Sequence, residues 1–579
     1  MHKPSGKELL YVNPVFQPAN LTVRDAWFAG GVEWNVSIIG HCPFTFAPLF
    51  AARVQADDGT PVLRLYEWDR VRRVPFQIDC WLADGSPFLF VQPRIINPND
   101  HTIPMYWWSN IAVPERADVR VLAPAHEAYR HDYDGKLVEH HVPIYDGVDV
   151  TYTTNRRSAA DLYFRIPPGH RAWITALDAR GHGLIHASTD RLHGRKMFNW
   201  GTDPGGRRWQ EFLAQPGLAY IEIQGGLAQT QGEYVAMPPG AQWSWLEAYG
   251  AIEAGPAKVH GKDWTDAHQA IERELERRLP RASMEAELAR YAAQLMDCAP
   301  VELLHHGSGW GALERIRRAR AHQPPFALPA IPFPDNSLGE EQRPWLALLD
   351  EGALPHRPPS RDPGALMVQP EWRELLERSV GQNPDAADWL AWYHLGVMRY
   401  RAGDPAGARE AWERSLQSEP SAWAARDLGV LTRGEGDLHA AAELWLAAAQ
   451  TAPAVAPLAI ECAKSLLQAS RSADAIAFID SLPPPLRAHG RIRLLRAMAA
   501  LEQNDLDFVE RYFQGDCDIA NIREKETSLS DLWFGLHERR LARQRGISFD
   551  QIDDDVRRQV RRDNPPPPRF DFRVNTEAD

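Results

Sequence analysis

Three short segments before residue 255 place acidic, amide and imidazole groups beside aromatic rings at strand spacing. In Tyr220-Ile-Glu-Ile-Gln224, Tyr220, Glu222 and Gln224 fall on one face and Ile221 and Ile223 on the other, because successive strand side chains alternate. A carboxylate flanked by isoleucines in a central strand is desolvated, and desolvation lifts its pKa toward general acid or base range. Glu222 is therefore the first catalytic candidate, with a structural ion pair as the alternative. In the second segment Trp243, Trp245, Glu247 and Tyr249 share a face; in the third, His182 and His186 do. Polar and aromatic faces of this kind are expected to line a cleft or meet water. Glu33 is the second catalytic candidate. Gly30 and Gly31 before it allow close backbone approach, and Trp34 and Asn35 after it offer a ring face and an amide. His186 is the third, since a neutral imidazole can carry a proton near pH 7. His182 and His186 have no third ligand at a diagnostic spacing, so no metal is expected, and nothing calls for a cofactor.

The elements that must carry these groups follow from composition and period. Of 21 tryptophans, 12 precede residue 265. An indole offers an apolar face and one N–H donor, which suits the C–H faces and polar rim of a saccharide. Trp34, Trp108, Trp200, Trp209 and Trp245 are binding candidates on that ground. Asn35, Asn110, His182, Arg195, Lys196, Gln224 and Glu247 are candidates for holding hydroxyls or a carboxylate. Short alternating runs such as Pro61 to Trp68, Phe88 to Gln92 and Arg171 to Leu177, with hairpin signals at Asp57-Asp-Gly59 and Asp84-Gly85, predict a sandwich or barrel.

From about residue 262 the period becomes helical. Over 386–515 a 33-residue shift relates Leu395-Gly396 to Leu428-Gly429, Gly403-Asp404 to Gly436-Asp437, and Ala408, Trp412 and Pro420 to Ala441, Trp445 and Pro453. Helix, Gly-Asp turn, helix and closing proline at that period look like the tetratricopeptide repeat. The expected division is a β-sandwich over 1–258, a helical connector over 259–321, a proline-rich linker over 322–370, helical repeats over 371–560 and a disordered tail over 561–579.

The net charge of −13 and the absence of a basic stripe argue against nucleic acid as a partner. Five scattered cysteines form no CxxC pair, which excludes a zinc ribbon and suits a reducing compartment. No long apolar run occurs and none follows Met1 to Lys7, so neither a membrane partner nor a signal peptide is expected, and the default location is cytoplasmic.

Asn13 to Pro18, Trp27 to Asn35, Trp107 to Ala112, Gly194 to Gly201 and Tyr220 to Gly225 resemble an uncharacterised bacterial family. In that family a galactose-mutarotase-like domain of unknown function precedes tetratricopeptide repeats. The resemblance implies a mutarotase-like β-supersandwich followed by a helical solenoid. The resemblance also implies strands before the segment matching His2 to Leu10; either they are dispensable or the chain begins late in its reading frame, and strands missing there would leave a sheet edge open to pairing.

These readings converge on a carbohydrate-active enzyme. The leading expectation is a glycoside hydrolase acting on an oligosaccharide through Glu33 and Glu222, whose carboxyl separation would set retention or inversion. The alternatives are an aldose epimerase using Glu222 with His186, and a non-catalytic glycan-binding domain. The repeats are expected to recruit a protein partner or to self-associate.

Overall fold

The computed structural model describes residues 2–17, 27–56, 58–131, 136–382, 384, 387–515 and 517–574. Pro18 of the family motif, Asp57 of the first hairpin signal and the last five residues of the tail lie outside the described residues. Contacts divide the chain into two compact units. The first comprises 1–337, 521–527 and 567–579, and the second 338–520 and 528–566.

The first unit is built on two large antiparallel sheets. The seven-stranded sheet contains β1 (Val32–Val36), β2 (Trp107–Pro114), β3 (Glu127–His131), β4 (Leu137–His141), β5 (Ala160–Phe164), β6 (Gly194–Asn199) and β7 (Tyr220–Gly226). Their order across the sheet is β1-β2-β7-β6-β5-β3-β4. A ten-stranded sheet runs from Glu302–His305 at one edge through Phe50–Gln55, Pro61–Asp69, Val74–Trp81, Phe88–Ile96, Glu247–Glu253, His182–Ser188 and Trp173–Leu177 to Arg120–Leu122, with Gln242–Ser244 also paired to Phe88–Ile96. Alternate residues of the first sheet, among them Val36, Ile111, Leu162, Met197, Ile221 and Ile223, join one buried cluster with residues of the second. Trp107 meets Trp245 edge-on across the gap at 5.0 Å, and Phe44 meets Phe76 at 4.9 Å.

The helices expected as a connector belong to this unit. Trp264–Arg278 and Arg281–Gln294 cover the other face of the ten-stranded sheet, with Trp81 stacked on Tyr291 at 4.9 Å. Glu302–His305 extends the sheet itself. The sequence reads these segments as separate because their period is helical, yet Ile271, Leu275, Tyr291 and Leu295 close the sheet's core. Arg64 pins the layers together. It is fully buried, holds Asp79 at 2.7 Å, and donates to the carbonyls of Leu295, Cys298 and Ala330. The tail departs from expectation as well. A helix spans Asp554–Asp563, and Phe570 and Phe572 are buried. Phe572 meets Trp209 at 5.3 Å and accepts its indole N–H through the main-chain carbonyl.

The second unit consists of helices paired as hairpins, including Trp389–Arg401 with Pro405–Ser418 and Ala422–Gly434 with Leu438–Thr451. The recurring Gly-Asp pair does two jobs. Gly403 and Gly436 take left-handed φ values of 81° and 95° at the end of one helix, which glycine reaches without a Cβ penalty. Asp404 and Asp437 then cap the next helix through the amides of Gly407 and Ala440. The recurring glycine and tryptophan also meet. A Cβ at Gly396 would stand 2.3 Å from the Trp412 ring, and one at Gly429 would stand 3.1 Å from Trp445.

Two outcomes follow. Gly396→Ala should destabilise the second unit by about 1–3 kcal/mol through overpacking, whereas Gly429→Ala should be close to neutral because helix propensity offsets a mild contact; thermal unfolding of the two variants compares them directly. Arg64→Ala should cost about 3–5 kcal/mol because it strands buried Asp79, and a loss under about 1 kcal/mol would contradict the clamp.

Candidate functional site

The face of the seven-stranded sheet turned away from the core carries two adjoining rows of polar groups. Register places Glu33 beside Asn110, Asn110 beside Gln224, Gln224 beside Lys196 and Lys196 beside Tyr163. One step along, Glu222 lies beside Phe198, Phe198 beside Asp161 and Asp161 beside His131. Strand alternation forces this result: once Ile111, Ile223 and Met197 face the core, their neighbours must face outward. Over these rows lies a cavity of about 460 Å³ lined by Glu222, Gln224, Asn110, Asn35, Lys196, Asp161, Tyr163, Phe198, His131 and, from loops, Trp27, His41, Trp200, Gln231, Glu524 and Lys525.

This setting shifts the Glu222 carboxyl strongly. Burial pushes its carboxyl up to about 7, and Glu33 adds to the push, while His41, Lys196 and a hydrogen bond from Asn110 oppose it. Gln224 donates to Glu222 at 2.9 Å and accepts at 2.6 Å from Gln231, which in turn accepts from Lys196. Lys196 stands 2.7 Å from Asp161. Burial works to raise the Asp161 carboxyl, but Lys196 and His131 prevail and hold it below its ordinary value.

His41 reaches the cavity from the loop after β1. Ser37, at φ 82°, and Gly40, at φ 85°, turn that loop. Asn35 secures it by accepting the Cys42 amide at 2.6 Å. The His41 Nδ1 lies 2.7 Å from one Glu33 oxygen, and the other Glu33 oxygen accepts from Thr45. Burial works to lower the His41 pKa, yet the Glu33 carboxylate overrides it and the net direction is upward. With Nδ1 held by Glu33, Nε2 is the nitrogen left to exchange a proton with a ligand.

The fifteen sequence candidates divide sharply. Glu222, Asn35, Asn110, Lys196, Trp200 and Gln224 line the cavity. Glu33 stands behind His41 rather than in the cavity wall. Trp108 covers Gly226, meets Tyr163 edge-on at 6.2 Å and is fully buried, so it offers no free ring face. Trp209 stacks behind Trp200 at 5.1 Å. Trp34 faces the core, where its indole N–H reaches the Tyr249 hydroxyl.

The remaining candidates are elsewhere. His186, Glu247 and Trp245 lie sealed between the sheets. Glu247 accepts from Ser109 at 2.7 Å, Tyr249 at 2.6 Å, His186 at 2.9 Å and Trp245 at 2.9 Å. Burial works to raise its pKa, but those donors lower it; burial pushes the His186 imidazole down, toward the neutral form. The expectation that such a face lines a cleft therefore fails: a polar face can be core when every acceptor is satisfied. Arg195 is also fully buried and donates to the carbonyls of Leu192, Gly194 and Ala172, as a clamp on the loop between strands. His182 lines a separate cavity of about 300 Å³ with Lys7, Arg116 and Asp178.

Sequence reasoning missed His41, Asp161, Tyr163, His131, Trp27 and the pair Glu524 and Lys525. Asp161 and Tyr163 were within reach, since Ala160 to Phe164 alternates as clearly as Tyr220 to Gln224. His41 stands in a loop with no period, and Glu524 and Lys525 come from nearly 300 residues beyond the last strand of the sheet. Among the described residues, no group of three His, Cys, Asp or Glu is arranged to hold a metal ion. Nor is any described helix long and apolar enough to cross a membrane.

Residues 1–238 match the model of a family described as Domain of unknown function (DUF5107), in line with the family resemblance carried by the motifs above. Among solved structures, a TPR-domain containing protein from Parabacteroides distasonis is 16% identical, with a TM-score of 0.63 over 96% of this chain and 84% of that one. This likeness shows the shared fold: an antiparallel β half followed by a helical half. A putative mutarotase from Salmonella typhimurium is 9% identical, with a TM-score of 0.30 over 41% of this chain and 79% of its own. A putative aldose 1-epimerase from Escherichia coli is 14% identical, with a TM-score of 0.27 over 35% of this chain and 68% of its own.

The raised Glu222 pKa has a stability consequence. The folded chain holds a proton near pH 7 that the unfolded chain has already released near 4.5, so stability falls as pH climbs through that window. Glu222→Gln removes the cost. Its melting temperature should match that of the natural chain near pH 5 and exceed it at pH 8, with a gain of about 2–3 kcal/mol. A difference that stays flat with pH would show that Glu222 titrates normally.

Proposed function

We propose that the cavity on the seven-stranded sheet is an acid–base site that interconverts the anomers of an aldose. Glu222, as carboxylate, takes the proton of the anomeric hydroxyl. The C1–O5 bond breaks, its electron pair goes to O5, and His41 Nε2 delivers a proton there. Rotation about C1–C2 presents the other carbonyl face. O5 then attacks C1, and both protons return the way they came. Glu33 orients the His41 ring and favours its protonated form. Trp27, Trp200 and Phe198 offer apolar surface for sugar C–H faces. The observation that carries this reading is one cavity holding a carboxyl poised near neutrality together with an imidazole backed by a carboxylate.

The paired-glutamate hydrolase reading loses support, because both Glu33 oxygens are engaged by His41 and Thr45. A different carboxyl pair keeps hydrolysis in view as a second reading. Glu222 and Asp161 flank β6, about 10 Å apart at Cα by strand spacing, and their surroundings drive their pKa values in opposite directions. An acid and a base so arranged suit inversion at a glycosidic carbon. The helical hairpins supply a scaffold for a protein partner.

Polarimetry or exchange NMR of free aldoses tests the first reading. Glu222→Gln and His41→Asn should each lower kcat by about 100-fold or more. The pH profile should rise through about 7 as Glu222 ionises and fall as His41 deprotonates. Glu33→Gln should move the falling limb to lower pH, because the carboxylate that holds His41 protonated is gone. Anomerisation at the spontaneous rate would rule the reading out, and release of aryl glycosides lost in Asp161→Asn would move the assignment to hydrolysis.

A further inference from the structure

The segment Asn521-Ile-Arg-Glu-Lys-Glu-Thr527 is unusual in its allegiance. It lies between the helices Leu506–Gln514 and Ser528–Arg545 of the second unit, yet its contacts assign it to the first. Ile522 is buried and anchors it. The Glu526 amide donates to the Arg523 carbonyl at 3.0 Å, and the Arg523 amide donates to the Glu526 side chain at 3.1 Å. This is a four-residue turn whose two central residues are Glu524 and Lys525, and both line the cavity above the sheet. Lys525 has a φ of 64°, at the turn position where glycine or asparagine is the easy choice. A lysine kept in left-handed backbone beside a cavity is the kind of strain that accompanies function.

Charge narrows the ligand. The cavity wall holds Asp161, Glu222 and Glu524 against Lys196 and Lys525, with His41 and His131 beside them. Glu524 bears on His41 as well, joining Glu33 in favouring its protonated form. Three carboxyl groups set against two ammonium groups and His41 leave no large excess of either sign to repay the desolvation of a phosphate, whereas an uncharged polyol meets acceptors and donors in alternation.

We propose that the turn Arg523–Glu526 is the specificity-determining element of this site, with Glu524 accepting and Lys525 donating hydrogen bonds to neighbouring hydroxyls of an uncharged aldose. The proposal rests on the sugar reading above and makes the cavity incomplete in any fragment that ends with the sheets.

The test uses the full chain. D-glucose, D-galactose and glucose 6-phosphate are titrated against tryptophan fluorescence, since Trp27 and Trp200 line the cavity, and KM and kcat are measured for the two free sugars. Glu524→Ala and Lys525→Ala should raise Kd and KM by about tenfold or more, a larger change than either makes in kcat. Lys525→Gly should unfold no earlier than the natural chain while losing the same affinity, because glycine relieves the backbone and removes the ammonium. In Glu524→Gln the His41 pKa, followed by NMR without ligand, should fall. The 6-phosphate should bind about tenfold more weakly than the free sugar.

Unchanged Kd in both alanine variants, a kcat loss at constant KM, an unmoved His41 pKa, tighter binding of the phosphate, or no binding of either sugar would overturn the proposal. Turn-dependent binding without faster anomerisation would retire the acid–base reaction and keep the turn. Anomerisation that ignores the turn variants would do the reverse.

Discussion

The arrangement depends on one constraint: a strand has two faces, and a large sheet that commits one to a dry core has no choice about the other. In the seven-stranded sheet Ile111, Ile223, Met197 and Leu162 are drawn inward by apolar burial. Asn110, Gln224, Glu222, Lys196 and Asp161 are thereby set outward in two rows at strand spacing. Loops and the Arg523–Glu526 turn line the same cavity, and these polar side chains are buried.

Two of the buried glutamates of the first unit, Glu247 and Glu222, show how far hydrogen-bond donors offset desolvation. Glu247 is fully buried and receives four donors, from Ser109, Tyr249, His186 and Trp245. Its charge is matched, so it stays ionised and fixes the register between the sheets. Glu222 is desolvated nearly as far, but its donors are the amides of Gln224 and Asn110. Undercompensated burial leaves its carboxyl pushed up to about 7. Satisfaction, more than burial, separates the two.

The helical half rests on a local device repeated at a fixed spacing. Each Gly-Asp pair ends one helix with left-handed backbone and starts the next with a side-chain cap. Each glycine within a helix clears room for the tryptophan of the following one. Because these contacts are short-range, the hairpins repeat without reference to the β half. The 521–527 segment, although it lies between two of these helices in the chain, belongs to the first unit.

What the sequence by itself determined was what local physics controls. Alternation around Glu222 and Gln224 marked the outward face, and the 33-residue shift announced the helical hairpins. Both signals are periodic, and a period survives without knowledge of the fold. The tertiary structure alone decided which polar face met a cavity and which was sealed: Tyr220 to Gln224 and Trp245 to Tyr249 alternate alike, yet only the first faces outward. It also decided that His41, not His186, joins Glu222, and that Glu524 and Lys525 arrive from the far end of the chain. Such pairings depend on sheet order and loop closure between residues distant in sequence, and no local pattern encodes them.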